Sequence, residues 1–118
     1  MSRLLILLLL VFLTSCGAAP VAQSRPAMYS IIYRVTGSAT SAQLTLQNSS
    51  GTTEQFDEVR VPWQRRFLGR RMQLIFVSAQ SRQARELIRC EILVNGVLVD
   101  EDSSRGRDAV ATCSASIE

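Results

Sequence analysis

The sequence holds no histidine, and all 13 of its basic residues are arginines, set against 10 carboxylates in 118 residues. Most side-chain chemistry is excluded on that ground. There is no Ser-His or Cys-His pair, no imidazole base and no lysine for a Schiff base or a phosphate loop. Serines and threonines are numerous, but without a base none is an activated nucleophile of the familiar kind. Two charged clusters remain. Asp100-Glu101-Asp102 offers oxygen ligands to a hard cation, yet it lacks the glycine-bearing calcium loop, and a solvated strand end is the expectation. Arg60, Arg65, Arg66, Arg70 and Arg71 alternate with Val61, Trp63, Phe67 and Leu68. They form either a basic-aromatic surface for anionic lipid headgroups or an acidic partner, or a solvated strand pair whose arginine stems cover apolar surface. Pro62-Trp63 could be an interface anchor, but the expectation is structural: a core tryptophan beside a proline at a bulge or edge. A net charge of +3 is too even to point to nucleic acid. The expectation is a binding protein, not an enzyme, with no metal and no cofactor.

The clusters hang on a chain that begins with an export signal. Ser2 and Arg3 precede Leu4 to Leu13, an unbroken apolar run of ten residues. A spanning helix needs ~20, whereas a signal-peptide core is about this long. Leu13-Thr14-Ser15-Cys16 resembles the bacterial lipobox, in which the leader is cut before a cysteine whose sulfur carries a diacylglyceryl group. Each buried CH₂ of such a lipid contributes ~0.8 kcal/mol to membrane retention. Residues 1–15 are thus expected to be a lipoprotein signal peptide and Cys16 the lipidated residue. Residues 16–26, small, polar and with two prolines, are expected to be a flexible tether. The folded domain is 27–118, extracytoplasmic and anchored to a bacterial membrane through Cys16.

From Ala27 onward the apolar period is two. Tyr29, Ile31, Tyr33 and Val35 form one alternating run, and Ala42, Leu44 and Leu46 another. Thr53 to Val61 is weaker. Met72 to Val77, Leu87 to Val94, Val97 to Val99 and Val110 to Ser114 follow. Asn95-Gly96 between two apolar runs marks a type I′ hairpin, since both central residues must take positive φ. Gln80 to Leu87 has helix-compatible residues but no apolar stripe, and reads as a loop or a single turn. About seven short strands separated by turns predict an all-β antiparallel sandwich. With Cys16 lipidated, Cys90 and Cys113 are left, and an even remainder in an exported chain predicts one disulfide. Cys90 falls on the inward phase with Ile92 and Val94.

This region contains Tyr33-Arg-Val-Thr-Gly37, Val61-Pro62-Trp63, Val77-Ser-Ala-Gln80, and Cys90-x-Ile92-x-Val94-Asn95-Gly96-Val97 followed by Asp100, Glu101, Gly106 and Cys113. In these motifs it resembles the extracytoplasmic domain of the MmpS family of small mycobacterial membrane proteins. The resemblance spans Tyr29 to Cys113. It implies an immunoglobulin-like sandwich acting as a non-catalytic accessory domain for an RND transporter of the MmpL type. Those proteins carry a single transmembrane helix where this chain has a lipobox. An alternative of another class is a stand-alone envelope lipoprotein that holds a lipid or siderophore between its sheets.

Overall fold

The structure, a computed structural model, describes residues 28–118. The expected signal peptide, Cys16 and tether lie outside them. Eight strands succeed one another: β1 (Met28–Gly37), β2 (Ser41–Gln47), β3 (Thr53–Arg60), β4 (Trp63–Arg70), β5 (Leu74–Gln80), β6 (Leu87–Val94), β7 (Val97–Arg105) and β8 (Val110–Ser116). They form two four-stranded sheets, ordered β4-β1-β6-β7 and β3-β2-β5-β8, and every pairing is antiparallel. The all-β sandwich expected from the alternation is present.

Its interior is filled by the inward phases of both sheets. Ile31, Tyr33 and Val35 of β1 and Ile88, Cys90 and Ile92 of β6 meet Leu44 and Leu46 of β2 and Ile75 and Val77 of β5, all essentially without exposure. Full burial of a branched aliphatic contributes ~1.5–3 kcal/mol, so this double layer is the main stabilising element. It also occupies the place where the alternative reading put an amphiphile.

The sheets are joined covalently by the disulfide between Cys90 on β6 and Cys113 on β8, with Cα atoms 6.1 Å apart. That separation is ordinary for a bridge, and the expected pairing is observed. Asn95 and Gly96 take φ of 50° and 82°, as the type I′ hairpin requires. Asn95 does more than turn the chain: its N–H donates to the Ser30 carbonyl, and its Oδ1 accepts the Ser30 N–H at 2.9 Å. The hairpin tip is thereby fastened to β1. The segment from Ser81 to Glu86 is a loop, as expected, and is held by Gln83, whose Oε1 accepts the Thr40 N–H at 2.7 Å.

The strand count is eight where about seven were expected. The additional strand is β4, inside the arginine-rich segment. Its inward positions are Trp63, Arg65, Phe67 and Gly69, and an arginine and a glycine interrupt the apolar alternation that signals a strand. Gly69 is there for space. A Cβ would stand 2.7 Å from Ile117 Cδ1 and 2.9 Å from Ile31 Cγ1. β7 runs on to Arg105, past the three apolar residues that announced it, because polar Asp100 to Arg105 continue the ladder with β6.

Candidate functional site

The five arginines do not form one patch. Arg65 lies on the inward phase of β4, its guanidinium 5.1 Å from the Phe56 ring centre and 5.7 Å from that of Trp63. It donates to Glu54 Oε1 at 3.2 Å, and Glu54 Oε2 accepts from the Asn48 amide at 2.8 Å. The hydrogen bonds from Asn48 and from Arg65, in that order, hold the Glu54 carboxyl below its ordinary value. Arg65 therefore fastens the edge of one sheet to the edge of the other. Trp63 is half-buried and packs on the core beside Phe56, while Pro62 sits exposed at the corner joining β3 to β4, after a cis peptide. Arg60 is exposed at the end of β3.

Arg66 and Arg70 point the other way, on the outward phase of β4, and Arg71 follows in the turn. All three are exposed. None lies within ion-pair distance of a carboxylate among the described residues. By contrast Arg34 and Arg89, on the same outer face, join Glu91 and Glu101 in a network: Arg34–Glu91 at 3.7 Å, Arg89–Glu91 at 3.5 Å, and Arg89–Glu101.

The registers give these arginines their neighbours. Arg70 lies opposite Met28, Leu68 opposite Ser30, and Arg66 opposite Ile32. Ile32 is in turn opposite Leu93 on β6, which faces Leu98 on β7. Leu68 is 55% exposed, Met72 73%, Leu74 65% and Val97 63%. Of the eight large apolar side chains exposed among the described residues, only Val110 lies at the other end, opposite Gln80. The Met28 end also carries two adjoining depressions. One, of about 480 Å³, is lined by Ser49, Ser50, Arg70 and Arg71; the other, of about 420 Å³, shares Ser49, Ser50 and Arg70 and extends to Met28 and Leu68.

The acidic run is not a merely solvated strand end. Asp100 Oδ2 accepts the Ser114 N–H at 2.8 Å, and Asp102 Oδ2 accepts the Thr112 N–H at 3.0 Å. These carboxylates stop the free edge of β8, between them flanking Cys113. Glu101 faces the opposite side, toward Arg89, so the three acids do not converge on one point.

A further group went unread in the sequence. Tyr33 is fully buried, and its hydroxyl donates to the Gln47 carbonyl at 2.8 Å and accepts the Phe76 N–H at 3.0 Å. The β2–β5 ladder ends at Leu46 opposite Val77, one step earlier. The phenol of β1 thus reaches across the sandwich and is inserted where those strands part. Burial pushes its pKa up to about 12 against a smaller opposing effect of the Phe76 hydrogen bond. The alternation marked Tyr33 as inward, but nothing in it marked the hydroxyl's partners. Likewise, Leu68, Met72, Val97 and Leu98 carried one available signal, large apolar side chains on an outward phase or in a turn.

No helix among the described residues is long and apolar enough to cross a membrane. A family model described as "Mycobacterium membrane protein" matches residues 20–117, a span that takes in all eight strands and both bridged cysteines. No curated protein matches the chain.

Proposed function

The chain belongs to the Mycobacterium membrane protein family, of the MmpS type, and from that membership we propose that it is a lipid-anchored, non-catalytic accessory domain of an envelope export system of the RND (MmpL) kind. The membership places the domain among membrane-associated envelope proteins. The observation that carries the rest is how the polar side chains are used. Asp100, Asp102, Glu54, Arg65 and Tyr33 are each engaged in fastening strands, while large exposed apolar residues gather toward one end with Arg70 and Arg71 beside them. Polar side chains engaged in this way support a binding role over a catalytic one for the described domain. Anchoring is supplied by Cys16, whose thiol would carry the lipid; of the arginine cluster, Arg60, Arg66, Arg70 and Arg71 are the exposed members left for a membrane or partner surface.

Two measurements test this reading. Metabolic labelling with a fatty-acid analogue should mark the wild-type chain and not Cys16→Ser, which should leave the membrane fraction; an unlabelled wild type ends the lipoprotein reading. Affinity capture from native membranes with the anchor intact should recover an RND-type transporter in amounts comparable to the bait. Capture that recovers none overturns the accessory role.

A further inference from the structure

The outward phase of β4 and the turn after it read Arg66, Leu68, Arg70, Arg71, Met72: cation and apolar side chain in alternation, all exposed. Across the sheet the same end continues into Ile32, Leu93 and Leu98, and the hairpin tip adds Val97. A soluble surface seldom gathers its exposed apolar side chains at one end with unpaired guanidiniums beside them. Two carboxylates belong to segments that reach this end, Glu54 opposite Leu46 on β2 and Glu118 after Ile117. Glu54 is already engaged by Asn48 and Arg65, and Glu118 follows Ile117, whose N–H and carbonyl bond Gln73 and Met72.

The position of the chain's entry says what this end meets. The described residues begin at Met28, opposite Arg70 and on the rim of the depression that also holds Leu68. Twelve residue steps separate Cys16 from Met28. A flexible chain of that length has an r.m.s. span of roughly 20 Å and cannot exceed ~40 Å when stretched. β1 alone, ten residues long, rises ~30 Å from one end of the sandwich to the other. At its mean span a lipid on Cys16 keeps the Met28 end nearer the bilayer than the Val110 end, which only a nearly stretched tether would let touch it.

We propose that the Met28 end is a docking face for a bilayer surface rich in anionic phospholipid. Leu68, Met72, Val97 and Leu98 enter the boundary between headgroups and acyl chains. Arg66, Arg70 and Arg71 take lipid phosphates, which planar guanidiniums bind in bidentate fashion. The depression beside Ser49, Ser50, Arg70 and Arg71 gives one such phosphate room. This rests on the anchoring read above and adds an orientation to it: the sandwich stands on its Met28 end, with Pro62 and the loop from Ser81 to Glu86 directed away from the membrane.

The test uses the full-length chain reconstituted into vesicles of phosphatidylcholine alone, or of equal parts phosphatidylcholine and phosphatidylglycerol, with brominated acyl chains as quencher. The native tryptophan, Trp63, lies at the far end of β4 and serves as the distant reporter. In Trp63→Phe, single tryptophans at Leu68→Trp or Val97→Trp report the docking face. Both should be quenched in the anionic vesicles and released by salt, while Trp63 of the wild type is not quenched. Arg66→Ser, Arg70→Ser and Arg71→Ser together should lower the docked-to-undocked ratio on the order of 100-fold, at ~5-fold per arginine. Flotation with the vesicles should be unaltered. Four results overturn the proposal: no quenching at 68 and 97, equal quenching at Trp63, quenching indifferent to the arginines, or protection that grows with chain density and shows a second copy covering this end. A chain that floats unquenched removes the docking face and leaves the anchor standing. A quenched chain that takes up no fatty-acid label removes the lipid and leaves the docking face.

Discussion

The two long sides of the sandwich are shut by different means. On the β7–β8 side, Asp100 and Asp102 accept backbone N–H groups two residues apart on the open edge of β8. The residue between them, Cys113, is bonded to Cys90, itself opposite Asp102. Three consecutive residues of an edge strand are thus tied down, and the donors that a further strand would need are taken. On the β3–β4 side, the chain itself turns the corner through Val61-Pro62, and what holds the edges together is side chain on side chain: Arg65 between Phe56 and Trp63, with Glu54 and Asn48 behind it. One side is closed at the level of covalent and backbone bonds. The other is closed by an ion pair and two ring contacts that salt and acid can loosen. The lesson is that the residues best suited to chemistry in this sequence are structural closures, and the two closures should fail under different conditions.

The largest effect expected is on the covalent side. Cys90→Ala, Cys113→Ala and the double variant should each lose ~2–5 kcal/mol in urea unfolding, and by similar amounts, because each removes the same bond. A double variant much less stable than either single one would contradict that. Next comes the interior strap that belongs to neither side. Tyr33→Phe leaves the Gln47 carbonyl and the Phe76 N–H without their partner, at ~1–3 kcal/mol. Because folding raises the Tyr33 pKa from 10.0 to about 12, the unfolded chain loses this proton first. The contribution is full below pH 10 and declines as pH rises toward 12. A pH series in which wild type and Tyr33→Phe keep a constant difference across that window would sink the assignment.

Asp100→Ala should cost about 1 kcal/mol, less than a buried charged hydrogen bond because the site is partly wet. Amide exchange at Ser114 should accelerate while Ile75 and Val77 stay protected. Combined with Cys90→Ala, the two losses should couple and not simply add, since both hold the same stretch of β8. The smallest effect lies on the opposite side. Arg65→Met keeps the apolar stem and loses ~0.5–1 kcal/mol of cation–π attraction. Glu54 has its pKa below the ordinary 4.5 in the fold, so what it adds is complete above that value and is lost as acid protonates it. The stability difference between wild type and Glu54→Gln should therefore shrink as pH falls below 4.5, with Asp100→Ala as the comparison for the other side.

How far the sequence revealed this arrangement depended on whether neighbours in the chain or neighbours across the fold decide it. Period-two alternation at Tyr29–Val35, Ala42–Leu46 and Leu87–Val94 is local, and so is the Asn95-Gly96 turn; those elements were legible. The pairing of Cys90 with Cys113 followed from elimination. β4 was hidden because Arg65 and Gly69 hold inward positions for reasons that lie in Phe56, Trp63, Ile31 and Ile117. Asp100 and Asp102 looked like a solvated run because their acceptors' partners, the N–H groups of Ser114 and Thr112, are set by a strand that begins ten residues later. The arginine cluster had one composition and two fates, decided by which phase of β4 each residue occupies.

That division is the claim most open to a direct measurement. Arg65→Gln and the combined Arg66→Gln, Arg70→Gln, Arg71→Gln chain should be compared side by side for thermal unfolding and for quenching of the Leu68→Trp reporter by brominated anionic vesicles. Arg65→Gln should lower the melting temperature and leave quenching intact, whereas the triple substitution should abolish quenching and leave melting unchanged. Equal effects of both substitutions on both readouts would contradict that division.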